Sequence, residues 1–112
     1  MHPQLRQNSR MIPTELHQAR AAHSALLQFF ASHPKGRLDR SALDEVLALC
    51  RAAASAVSDA ECRRAIRNIE SYTELLCSSE PASRGADFVR LRVQNALASL
   101  RSGLKAMEAG QK

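Results

Sequence analysis

The chain has 112 residues, 45% of them hydrophobic and 4% aromatic, with no tryptophan and a formal charge of +5. That balance describes one soluble globular domain with a core of leucine, alanine, valine and isoleucine. It excludes a disordered polymer and a disulfide-stapled miniprotein, and no apolar run approaches the ~18 residues that a membrane span needs.

The first twelve residues, MHPQLRQNSRMI, are polar and basic, without the apolar stretch of a secretory signal. They read as a flexible arm (1–12) ahead of a single helical domain (13–112), able to dock through Leu5, Met11 and Ile12. Pro13 and Thr14 suit the first turn of a helix, and Leu16, Ala19, His23, Leu26, Leu27 and Phe30 follow three and four apart as one stripe. His33-Pro34 ends it, because the residue before proline is pushed out of the helical region, and Lys35-Gly36-Arg37 makes the turn.

Asp39 and Ser41 are both candidate caps for a second helix, whose stripe is Leu43, Val46, Leu47, Cys50, Ala54 and Val57. Ala42, Leu49 and Ala53 widen that face enough for packing between two neighbours. Ser58-Asp-Ala-Glu61 then fits a capping box, and Cys62, Ile66, Ile69, Thr73 and Leu76 begin a fresh stripe. At about 100° per residue the two stripes are out of phase on one straight helix, so the spacing predicts a break at Ser58. The alternative is one long helix over 41–78.

Cys77-Ser-Ser-Glu-Pro81 closes the third helix, and Pro81-Ala-Ser83 leads into the last. Ala86, Val89, Val93, Ala96, Leu100 and Met107 form its stripe, with Leu97 and Leu104 beside them and Phe88 and Leu91 on a flank. Gly103 falls on the same stripe, where a glycine costs about 1 kcal/mol against alanine, so it marks a close backbone approach. Gly110 is a C-terminal stop. Four amphipathic segments with short connections predict an all-α, antiparallel up-down-up-down four-helix bundle. The last helix is the longest, and its overhang predicts a self-association surface at Gly103, Leu104 and Met107, hence a homodimer.

Basic residues gather at both ends of the chain, which fits an acidic protein partner as well as plain solubility. The stretch AVSDAECRRAI resembles the turn and second helix of a helix-turn-helix over eleven residues, through Ala56, Val57, Ser58 and Cys62. That resemblance implies phosphate or base contacts by Arg63, Arg64 and Arg67. It departs from the motif at Arg51 and Ser55, where apolar residues should lock the two helices, and at Ala56 in place of glycine. A second polyanion strip comprises Arg90, Arg101 and Lys105 with Arg92 nearby, without the interleaved aromatics of single-strand binders.

Catalysis is not expected. Glycine-rich phosphate loops, HExxH and GxSxG are absent, Asp44 and Glu45 are adjacent and so cannot share a helix face, and Glu70 and Glu74 lack the histidine of a helical di-metal site. Cys50, Cys62 and Cys77 match no zinc spacing and read as reduced, largely buried thiols. With an arginine- and alanine-rich composition, they place the chain in a bacterial cytoplasm. The expectation is a helical protein-interaction module (adaptor, regulator or chaperone) without metal or cofactor. The alternative is a nucleic-acid-binding transcriptional regulator.

Overall fold

The computed structural model describes residues 13–34, 38–78 and 84–110. These form four α-helices and no strand: α1 (Pro13–Ser32), α2 (Arg40–Ala56), α3 (Ala60–Ser78) and α4 (Arg84–Gly110). The expected arm at 1–12, the Lys35-Gly36-Arg37 turn and the Pro81-Ala-Ser83 lead-in lie outside the described residues.

Each helix touches two others. α1 packs on α2 and α4, and α3 packs on the same two, while the diagonal pairs do not meet. A single core fills the centre, drawn from all four helices and including Leu26, Val46, Cys50, Ile66, Ile69, Leu76, Val93 and Leu100. Its two polar members are satisfied: Thr73 Oγ1 donates to the carbonyl of Ile69 at 2.6 Å, and His23 Nε2 lies 3.1 Å from the carbonyl of Leu97, to which its N–H donates. The core is built mostly from small aliphatic side chains, as the low aromatic content requires.

The chain does break between α2 and α3, so the single long helix over 41–78 is not formed. Val57 is extended (φ −128°, ψ 144°), and Val57-Ser-Asp59 are non-helical. The reason is burial: Val57 and Cys62 both reach the core, which an unbroken helix would forbid. The cap, however, is not Ser58. Asp59 Oδ2 accepts from the Cys62 amide at 2.9 Å, and the Asp59 carbonyl accepts the first helical bond from Arg63 at 3.0 Å. Asp59 outcompetes Ser58 because it is an equally good cap whose charge also meets the positive end of the helix. Asp39 caps α2 in the same way, accepting from the Ala42 amide at 2.8 Å.

Two other expectations shift. In α1 the face turned inward includes Ala22 and Phe29, while Leu27, expected in the stripe, is 45% exposed. The ring of Phe29 is stacked under His33, 4.3 Å between centroids, at the end of the helix. In α4 the expected overhang is covered from within the chain. Leu104 is 4% exposed and Met107 is partly buried, because the last turns of α4 lie against the first turns of α1 and α3.

Candidate functional site

Gly103 makes the close approach that its position implied, and it does so within the chain. A Cβ there would sit 2.5 Å from Cys62 Sγ. The same sulfur lies 3.8 Å from Met107 Sδ. The α3–α4 seam is therefore closed around Gly103 and Met107, while Leu104, also buried, turns to the α1 side.

The α1–α4 seam is built differently. At its low-numbered end for α1, Arg20 Nη1 bonds Glu108 Oε2 at 2.7 Å, both side chains about half exposed. At the other end, Arg90 Nη1 donates to the carbonyl of His33, closing the exposed C-terminus of α1. Between these ties the helices meet at the buried His23–Leu97 bond and part on their outer side. Leu27, Phe30, Ala31 and Pro34 from one side and Leu91, Val93, Gln94 and Leu97 from the other, with Asp87 and Arg90 at one end, enclose a groove of about 480 Å³. Large apolar side chains stand open here: Leu91 is 54% exposed and Phe88, one turn away on α4, 56%. Among the described residues the other open large apolar side chain is Leu75 on α3, 49% exposed.

The seam continues past Leu27 into a second hollow of about 270 Å³, lined by Arg20, His23, Ser24, Arg101, Leu104, Lys105 and Glu108. Three cations and one carboxylate surround it. His23 at its floor titrates below the ordinary 6.5, because burial disfavours the charged ring and Arg101 repels it, against the opposing pull of the Leu97 carbonyl.

The seven arginines and lysines proposed for polyanion binding do not converge. Arg63 is turned back on α2, its Nη1 donating to the carbonyls of Val57 at 3.0 Å and Ala54 at 3.3 Å. Arg90 is held at His33, with its pKa lowered by burial despite the nearby Asp87. Arg92 lies over the Phe88 ring at 4.9 Å, on the flank of α4 opposite Arg90, Arg101 and Lys105. Arg64 and Arg67 are exposed on α3, which does not touch α1, so they lie away from the α1–α4 seam. The helix-turn-helix geometry is also missing. α2 and α3 stay in contact at both ends, through Arg63 at one and through Leu38 N–H to the Leu76 carbonyl (3.4 Å) at the other. In a helix-turn-helix the pair splays at about 90–120°.

Charge marks the faces further. Arg40, Asp44, Glu45, Arg51, Glu61, Arg64, Arg67 and Glu74 are exposed on α2 and α3. The strip of α4 turned furthest outward carries Phe88, Leu91, Asn95, Ala98, Ser99, Ser102 and Ala106, all exposed, with Arg92 at one edge over Phe88 and Lys105 at the other. α1 contributes one exposed charge, Arg20.

The thiols offer no reactive centre in the core. Burial and then Glu70 push Cys50 up to about 12, and burial together with the hydrogen bond and charge of Asp59 pushes Cys62 up to about 11. Among the described residues no three His, Cys, Asp or Glu side chains are grouped to hold a metal ion, and no helix is long and apolar enough to cross a membrane. No family model, curated protein or solved structure matches the chain.

The sequence reading missed the α1–α4 groove. Its signal was present in Leu91 and Phe88, which fall off the α4 stripe, and in Leu27, which was assigned to the core because leucines at helical spacing usually are.

Proposed function

We propose that this chain is a non-enzymatic, helical protein-binding module, an adaptor, regulator or chaperone that works by presenting the α1–α4 seam to another polypeptide. The observation that carries this reading is the groove itself, where Leu27, Phe30 and Leu91 line an open hollow of about 480 Å³. A soluble domain of this size rarely leaves several large apolar side chains together in water without a partner for them. Grooves between packed helices are a recurrent seat for a third amphipathic helix, whose residues at i, i+3, i+4 and i+7 drop between the two ridges. Buried, protonated thiols fit a reducing compartment such as the cytoplasm.

A nucleic-acid role has weaker support. Arg63 and Arg90 are engaged with backbone carbonyls and Arg92 with an aromatic ring, which leaves two separated pairs of cations on different faces.

The test is site-specific photo-crosslinking in cells that make the protein, with the crosslinker placed at position 91 or at position 64. The reading expects a discrete protein adduct from position 91 that disappears when Leu27→Asp is added, and none from position 64. Adducts from position 64 alone, or adducts to nucleic acid, would contradict it.

A further inference from the structure

The two hollows of the α1–α4 seam meet at Leu27, beside the His23–Leu97 bond, so they lie end to end along the seam with unlike ends. One end is apolar. At the other, Arg20 is already matched by Glu108, while no carboxylate among the described residues is paired with Arg101 or Lys105. A ligand lying along the seam therefore meets leucines first and then two unmatched cations. On the α-helical rise, Arg101 and Lys105 lie about 15 and 21 Å from Leu91.

We propose that the seam's occupant is an acidic amphipathic helix of a different protein, with apolar residues over two turns and carboxylates ten to fourteen positions further along the same face. This rests on the seam being a docking surface, as above. Charge complementarity selects the occupant, because unmatched cations at one end favour carboxylates and reject a basic or neutral helix. The chain's own segments do not qualify. The N-terminal twelve residues contain Arg6 and Arg10 and no acid. A second copy's α3 offers Leu75 as its single exposed large apolar residue, with Arg64 and Arg67 lying between it and Glu61, so that face gives neither an apolar triplet nor a net negative end. Nucleic acid fits the cations but not the leucines, over which its phosphates would lose water without gaining a partner.

A displayed library of helical peptides with randomised outer positions, panned on the folded protein, tests this. The expected winners combine an apolar i, i+3, i+7 triplet with Asp or Glu ten to fourteen positions away. Their affinity should fall about tenfold or more in an R101E/K105E variant, and also as salt rises. Both positions are exposed, and circular dichroism checks that the variant keeps its helices. Winners without acidic excess, lost in L27D/L91D but unmoved by R101E/K105E, would overturn the acidic occupant and leave the docking surface standing. Enrichment no greater than on L27D/L91D protein would overturn both. Competition for the peptides by a second copy or by duplex DNA would assign the seam to that occupant instead, and so overturn the proposal.

Discussion

α4 uses its two sides for opposite purposes. Against α3 it packs with a glycine at the closest point, so that Cys62 Sγ fills the space a side chain would take. Against α1 it is tied at both ends by arginines and midway by the His23–Leu97 bond, and a groove with exposed leucine at its edge runs along the outer side. The difference is made by side-chain size and placement. Where Gly103 and Ala96 face a neighbour, backbones approach and water is excluded. Where Leu91 and Leu27 point away from the core, helices joined by two end ties and the His23–Leu97 bond leave a slot on their outer side. Packing holds one seam closed, while the other keeps apolar surface available.

Four changes should break or sharpen that contrast. The largest effect is expected on the closed side. Ile66→Asp buries an unpaired carboxylate in the α3 stripe and loses the packing of a core isoleucine, together at least about 4 kcal/mol, a large share of a domain's stability. Circular dichroism and urea unfolding should find it largely unfolded at room temperature. Gly103→Ala comes next. It gains about 1 kcal/mol of helix propensity but forces an overlap with Cys62 Sγ worth about 2 kcal/mol, for a net loss. In a Cys62→Ala background the overlap is gone, and the same substitution should turn stabilising. A double-mutant cycle reads the change of sign, and additive effects would mean that the seam is looser than described.

The third change concerns the break that aims α3 at α4. Asp59→Ala should lose about 1 kcal/mol and Ser58→Ala only a few tenths, since the Cys62 amide is capped by Asp59. Equal losses in thermal melts would restore the Ser58 cap. The smallest effect is pH-dependent. Folded His23 titrates below 6.5, so the unfolded chain takes up the extra proton more readily. Its contribution is intact above about pH 6.5 and is lost as pH falls from there through the folded value. Melting temperature should drop between neutral pH and pH 5.5 more steeply in the native protein than in His23→Gln.

Much of the bundle was legible in the sequence because helices announce themselves by periodicity. The stripes of α2 and α3 are out of phase across Val57 and Cys62, and both residues are buried, so the break could be read from spacing alone. Which residue caps it could not. Ser58 and Asp59 are adjacent and chemically alike as caps, and only the register of the first amide decides between them. The supposed overhang failed for a related reason. A helix longer than its neighbours need not protrude when its extra turns find their first turns to pack against, as Glu108 does with Arg20 and Met107 with Cys62. The groove was the least legible feature, since spacing does not fix how far apart two helices stand. The rotation of α1 that brings Phe29 inward and turns Leu27 out follows from tertiary packing.

The central claim is that the apolar wall of the α1–α4 seam serves a partner rather than the fold. The most direct measurement is the urea-unfolding free energy of Leu91→Gln beside that of the buried Leu97→Gln. The account predicts that Leu91→Gln stays within about 0.5 kcal/mol of the native protein, as surface substitutions do, while Leu97→Gln loses several. A loss of about 2 kcal/mol or more at Leu91 would show that this leucine belongs to the core, and would contradict the account.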